Sequence, residues 1–432
     1  MLSAYYEYKE SSNPQICSIP SHWSERRLKF SYREVDQRSQ TGEEEMLSVS
    51  HITGITPRSQ KNVTMFLSES NVGLKQCQPS DIVVNTMWAW MAAMGVSAYS
   101  GIVSPSYGVY RSIRDDEYIP KYLNYLLRID AYRAEYMRRS TGIRPSRLRL
   151  YPDKFLNLKF ISPPLSEQNQ IALYLDWKIS QINKLINTKR RLVGLLQEQL
   201  DLMTNQAIAN PHGKARLKHS SEVVRNWITR DNTRIYAPVG VLNRGRGVFH
   251  KEQLFGSDLG DSEFFKVEPD SLLISGQFAW EGAVAITSES EKGCIASHRY
   301  YMVRGNDDFC KTEYIWAFFQ TRLGDLILNK CSHGAAGRNK PLNINELLNE
   351  FVPIPSAEVQ ERIAEQVQLY MKYRNLVKSY ETLILEYKTR LISDVVTGRL
   401  DVCGVTVPEY DATDDNSTDA DVDDDEEMED FE

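Results

Sequence analysis

One stretch of this chain is written twice. The first copy holds Gly142-Ile143-Arg144, then Phe160-Ile161-Ser162-Pro163-Pro164, Ser166-Glu167 and Ile171-Ala172, ahead of a long amphipathic pattern. The second holds Gly334-Ala335-Ala336, then Phe351-Val352-Pro353-Ile354-Pro355, Ser356-Ala357-Glu358 and Ile363-Ala364, again ahead of a long pattern. Upstream, residues 122–127 pair with 314–319. Phe160 and Phe351 are 191 positions apart and Gly142 and Gly334 are 192 apart, so the registers nearly agree. Glu358-Val359-Gln360 then reads as one residue longer than Glu167-Gln168. A globular unit followed by a helix, made twice, is a two-headed architecture with a pseudo-twofold internal repeat. Such chains grip partners that themselves have two half-sites.

A chain of 432 residues is too long for one core and suits two or three domains. Its formal charge of −7 misleads, because residues 411–432 hold 13 Asp and Glu and no Lys or Arg. Without that stretch, expected to be disordered, the balance is +6, which leaves nucleic acid open as a partner. Six cysteines without CxxC pairing read as reduced, mostly buried thiols in a cytoplasm. Cys294 with His298 and Cys331 with His333 fit no zinc spacing, so no metal is expected. The N-terminus lacks the apolar core of a signal peptide. The uncharged run between Asp81 and Arg111 is broken by Asn85, Thr86, Gly95 and Gly101, and its counterpart at 272–286 carries Glu281. It reads as strands and a loop, not a membrane span.

The expected fold class is α+β: two similar domains with largely antiparallel sheets, joined by two long antiparallel helices as a coiled-coil spacer. The boundaries are 1–162 for the first head, 163–210 for the central helix, 211–353 for the second head, 354–400 for the distal helix and 401–432 for the acidic tail. Within the heads, helices are expected over 118–139 and 312–328. The central helix starts after the Ser166 cap, with a seam at 182, 185, 192, 196 and 203. The distal helix shows Ile363, Val367, Tyr370, Tyr373, Val377, Tyr380, Ile384, Tyr387 and Leu391. Neither can bury its seam alone. About 40 helical residues span roughly 60 Å, and grooves on one face of B-DNA recur about every 34 Å, so an antiparallel pair would space two readers along a duplex.

No catalytic constellation is complete: GxxxxGK, GxSxG and HExxH are missing, and Gly245-Arg246-Gly247 is a lone GxG. Ser162-Pro163-Pro164-Leu165 resembles an adenine-methyltransferase tetrapeptide but lacks the aromatic that would stack on a flipped base. Residues suited to DNA are better represented. Arg138, Arg139, Arg144 and Arg147 surround a glycine-bearing turn, and Arg338 and Lys340 flank its counterpart. Further candidates are Arg58, Lys61, Lys75, Trp88 and Trp90 in the first head, and Arg244, Arg246, Gln277, Trp280, His298 and Arg299 in the second.

In this order the motifs resemble the specificity subunits (HsdS class) of Type I restriction–modification systems. The resemblance rests on Ile19-Pro20-Ser21-His22-Trp23, Asp81-Ile82-Val83-Val84, residues 101–107, Pro163-Pro164-Leu165-Ser166-Glu167-Gln168, and Val396-Thr397-Gly398-Arg399-Leu400-Asp401-Val402. It implies two target-recognition domains, each reading half of a bipartite double-stranded DNA site. It also implies partners: two modification subunits that methylate adenine with S-adenosylmethionine, and motor-nuclease subunits that use ATP and Mg. The chain itself would be non-catalytic and hold no cofactor. The acidic tail is no part of the pattern. A coiled-coil scaffold without DNA affinity, and a stand-alone methyltransferase, are the competing readings.

Overall fold

A computed structural model describes residues 3–60, 70–114, 117–142, 148–306, 309–334 and 340–410. The chain divides into two compact units, 1–188 with 380–432, and 189–379. Each contains one head and the adjoining ends of both long helices.

The first head is built on a four-stranded antiparallel sheet in the order Tyr32–Glu34, Gly108–Ser112, Ile82–Val84, Met94–Val96. The Pro79-Ser80-Asp81 turn starts the third of these strands, and Ile82, Val83 and Val84 are fully buried, as a central strand requires. Behind the sheet, Tyr122, Tyr132, Tyr136, Phe155 and Phe160 form an aromatic core with Ile171 and Leu175 of the first long helix, Leu165–Ala209. The second head repeats the sheet with Ser221–Val224, Tyr300–Gly305, Leu272–Ser275 and Val284–Ile286. Tyr314, Trp316 and Phe318 fill its core with Ile363 and Val367 of the second long helix, Ala357–Val396. The segment from Asp81 to Arg111 is strand and turn, and among the described residues no helix is long and apolar enough to cross a membrane.

In the first unit the beginning of one long helix meets the end of the other. Leu175 shares a core with Leu391 and Val395, and Lys388 Nζ donates to the buried Asn183 Oδ1 at 3.4 Å. In the second unit Leu200 and Ala207, near the end of the first helix, share a core with Ile363 and Val367 at the start of the second. Within each unit the two helices therefore run in opposite senses.

The expected seam positions Ile182, Leu196 and Met203 face inward, and the two between them shift by one step. Leu185 and Leu192 are 38% and 41% exposed, while Ile186 is buried and Val193 half-buried. The doublets Leu185-Ile186 and Leu192-Val193 offer apolar side chains in both registers, and docking of Ile171 and Leu175 into the head core selects one. On the second helix Tyr373, Tyr380 and Tyr387 face out, and the inner positions fall to Arg374 and Lys388. Arg374 is satisfied there, donating to the Gly245 carbonyl at 3.0 Å and lying over the Tyr370 ring at 5.5 Å.

Two helices expected as continuous are broken. In the first head Pro120–Leu126 and Asp130–Arg139 are separated where Ile129 becomes extended, and the Tyr136 hydroxyl donates to the freed Leu127 carbonyl at 2.9 Å. In the second, Thr321 separates Thr312–Gln320 from Arg322–Lys330 by capping the latter through its side chain.

The two copies of the repeat are in exact register at a pair of buried glutamines. Gln168 is fully buried; its Nε2 donates to the carbonyls of Glu117 (2.8 Å) and Pro163 (2.9 Å), and its Oε1 accepts from the Ile119 amide (2.8 Å). Gln360 does the same with Phe309 (3.1 Å), Pro355 (3.1 Å) and the Lys311 amide (3.0 Å). The partners match at a constant separation of 192, so the second copy has no extra residue. Phe160 corresponds to buried Val352, while Phe351 is 56% exposed. The first long helix also begins at Leu165, before Ser166, because the Pro164 carbonyl accepts from Glu167 and Gln168.

The motifs that carried the resemblance meet in the first unit. Trp23 Nε1 and the Tyr5 hydroxyl both donate to Glu167 Oε2, and His22 Nε2 lies 2.6 Å from Glu167 Oε1. Gly398 ends the second helix with φ +75°, and a Cβ there would sit 2.5 Å from Pro20 Cδ.

Gln168→Ala and Gln360→Ala each remove three hydrogen bonds between a buried side chain and the backbone, and should each lower stability by about 2–4 kcal/mol in urea unfolding. Gly194, mid-helix and with open space within 4 Å of where a Cβ would stand, should behave oppositely: Gly194→Ala should add about 1 kcal/mol.

Candidate functional site

In the second head three loops converge on Gly276. Its amide donates to the Arg299 carbonyl at 2.7 Å, and its carbonyl accepts from the Leu342 amide at 2.7 Å. The first bond joins the loop bearing Gln277 and Phe278 to the turn bearing His298 and Arg299. The second joins it to the base of the basic loop, which the His333 amide helps close by donating to the Pro341 carbonyl at 3.1 Å. Only glycine fits at 276, since a Cβ would lie 2.5 Å from the Arg299 oxygen.

The first head repeats this plan around Thr86. Its carbonyl accepts from the Leu150 amide at 2.9 Å, and its hydroxyl donates to the Ser106 carbonyl at 2.9 Å. Thr141 and Arg149 exchange both backbone bonds, at 3.0 and 2.9 Å, and so close the basic loop at its base. In both heads a single 3₁₀ turn follows, Ala89–Met91 and Ala279–Glu281, ended by left-handed Ala92 and Gly282. The turn puts an aromatic outward: Trp88 is 50% and Phe278 39% exposed.

The next aromatic anchors the turn in each case. Trp90 Nε1 donates to the Met87 carbonyl at 3.1 Å, and Trp280 Nε1 to the Gln277 carbonyl at 3.2 Å. What covers the anchor differs. Trp88 stacks near Trp90 with centroids 6.4 Å apart, whereas the Lys340 ammonium lies 4.7 Å from the Trp280 ring centre.

Of the sequence candidates, Gln277, His298, Arg299 and Lys340 are brought together at Gly276. Arg244 and Arg246 are exposed on an adjoining hairpin tip, where the Arg244 amide donates to the Glu281 carbonyl at 2.9 Å. In the first head Trp88 sits on the shared turn, against which the helix Asp130–Arg139 packs. Arg138 and Arg139 lie at the end of that helix and both bind Glu135. Burial opposes the charge on Glu135, yet hydrogen bonds from the two arginines outweigh it and hold its carboxyl below the usual range. Their positive charge is thus partly matched. Arg58 begins the short turn Arg58–Gln60.

Lys75 does not belong to this surface. Its side chain is 9% exposed, donates to the Tyr107 carbonyl at 2.8 Å and pairs with Glu34 at 3.7 Å. Strand pairing of Lys75–Cys77 with Gly101–Val103 carries it inward. Lys61, Arg144, Arg147 and Arg338 lie outside the described residues, as does 411–432.

Two residues of the cluster went unnoticed in the sequence. Arg149 is exposed at the foot of the first basic loop with its guanidinium 5.5 Å from the Tyr151 ring centre. Phe278 is the counterpart of Trp88 and could have been found from it, since Trp90 and Trp280 are separated by the same interval. Burial pushes the Cys77 thiol up to about 11 and the Cys310 thiol up to about 12.

No family model matches this chain, and no curated protein is similar to it. Solved structures do match. A chain from a structure addressing complex assembly and conformational transition of the type I R-M system is 15% identical, with a TM-score of 0.54 over 88% of this chain and 99% of that one. The HsdS subunit from Thermoanaerobacter tengcongensis is 14% identical (TM-score 0.46; 88% and 98% covered). The S subunit of a Type-I restriction-modification system from M. genitalium is 12% identical (TM-score 0.47; 93% and 99% covered). At such identity the first likeness establishes a shared fold across nearly the whole chain.

Gly276→Ala should force the Arg299 turn away and cost about 2 kcal/mol. Thr86→Ala, which loses one hydroxyl bond, should cost about 1 kcal/mol. Thermal unfolding of the two variants side by side checks the order.

Proposed function

We propose that this chain is the DNA-reading specificity subunit of a Type I restriction–modification complex, each head contacting half of a bipartite duplex target. In that role it directs adenine methylation or cleavage performed by others. Two modification subunits would carry S-adenosylmethionine, and motor-nuclease subunits would use ATP and Mg. The chain contributes recognition, works in the cytoplasm with them, and holds no cofactor of its own.

The observation that supports this most is the same three-loop cluster in both heads. Each presents an exposed aromatic, a turn and the foot of a basic loop, tied by backbone hydrogen bonds and, in the first head, by the Thr86 hydroxyl. Cations at such a foot suit phosphate oxygens. An exposed ring beside them suits an apolar base edge such as the thymine methyl group. The shared fold adds to it, because one chain with two such heads matches a target with two halves.

Duplex binding measured against salt tests the proposal. Affinity should fall steeply as salt rises, and Arg149→Ala and Lys340→Ala should each weaken binding and reduce the logarithmic salt slope by about 1. Exchanging residues 1–162 for another head of this fold should alter one half of the recognised sequence and leave the other unchanged. If duplex DNA is not retained even at low salt, the coiled-coil scaffold reading replaces this one.

A further inference from the structure

Two strands of the first head meet with like charges face to face. Strand Ser24–Arg27 pairs with strand Lys159–Ser162 so that Arg27 stands directly opposite Lys159. The next amide, Leu28, donates to the Leu158 carbonyl at 3.0 Å, so Lys29 enters the same corner of the head. All three cations are exposed, and no carboxylate among the described residues pairs with any of them. Like charges set opposite each other work against the strand pairing that holds them.

The second head has the same corner without the conflict. There Arg216 stands opposite Phe351 and lies over its ring at 5.4 Å, and the Leu217 amide donates to the Glu350 carbonyl at 3.0 Å. Glu350 in turn holds Lys330 at 2.7 Å. The backbone plan is shared, so it does not require a cation at 159. The first head has put Lys159 where its duplicate has a ring, and Leu158 where its duplicate has a carboxylate.

The anion that would relieve the conflict is in the chain itself. Residues 411–432 hold 13 Asp and Glu and no Lys or Arg. The segment just before them is fastened to the first head. Val402 is fully buried, Val405 and Val407 pack on the head core, and Gln170 Nε2 donates to the Val402 and Val405 carbonyls at 3.1 and 2.7 Å. Gln170 lies in the second turn of the long helix that strand Lys159–Ser162 leads into, so the acidic stretch departs from the head that carries the unmatched cations. Its 22 residues reach at most about 70 Å. Tethering holds it at about millimolar effective concentration, ahead of any free anion.

We propose that residues 411–432 dock on the Arg27, Lys29 and Lys159 corner of their own chain. The inference does not depend on DNA reading. Carbodiimide treatment of the full chain at high dilution should form amide links from Lys29 and Lys159 to carboxylates of 411–432, located by mass spectrometry. Salt at about 0.5 M should suppress them. Lys29→Ala combined with Lys159→Phe, which copies the ring of the second head, should leave circular dichroism unchanged. The same change should speed cleavage within 411–432 by an aspartate-specific protease about tenfold at low salt. Lys218→Ala, at the matching place in the second head, should leave that rate as it was. Links from the acidic stretch to other lysines in place of these two, or cleavage indifferent to the double change, would overturn the proposal. So would loss of duplex retention in the double variant without faster cleavage, which would assign the corner to nucleic acid.

Discussion

Two buried glutamines set the frame on which each head is built. An amide side chain has one acceptor and two donor hydrogens, and at Gln168 and Gln360 these are used on the loop before the first head helix and on the proline before the long helix. A carboxylate could not donate there, and a leucine would leave backbone groups stranded away from water. The glutamine therefore ties the loop before the first head helix to the start of the long helix, beside the apolar core the two share.

The loop clusters use the same economy. Gly276 and Thr86 each link three segments that are far apart in sequence, through their own backbone carbonyls and one further bond. The cations Arg149 and Lys340 at the loop feet, and the exposed rings of Trp88 and Phe278, are then presented by a frame built largely from main-chain bonds. Glu135 shows the complementary effect, because it engages Arg138 and Arg139 and so moderates the charge at the end of their helix.

Much of this was legible in the sequence, and the reasons are specific. The duplication announced two heads and two long helices, because buried apolar positions, glycines and prolines recur at matched places. Ile182, Leu196 and Met203 are legible as inner positions, whereas Leu185-Ile186 and Leu192-Val193 satisfy either register and only docking of Ile171 and Leu175 decides between them. The supposed extra residue in the second copy came from matching Phe160 to Phe351 by type. The structure matches positions by what they bond, and Phe351 is on the surface. Helix breaks at Ile129 and Thr321 escaped notice because neither residue is a glycine or proline. Lys75 looked like a surface cation because a three-residue strand leaves too little pattern to show which face it buries.

The two anchoring indoles differ in what lies over them, Trp88 over Trp90 and the Lys340 ammonium over Trp280. One scaffold thus displays a greasy fingertip on one hand and a charged one on the other. Because main-chain atoms do most of the fastening, selection can rewrite either fingertip by single codon changes without disturbing the knuckle beneath.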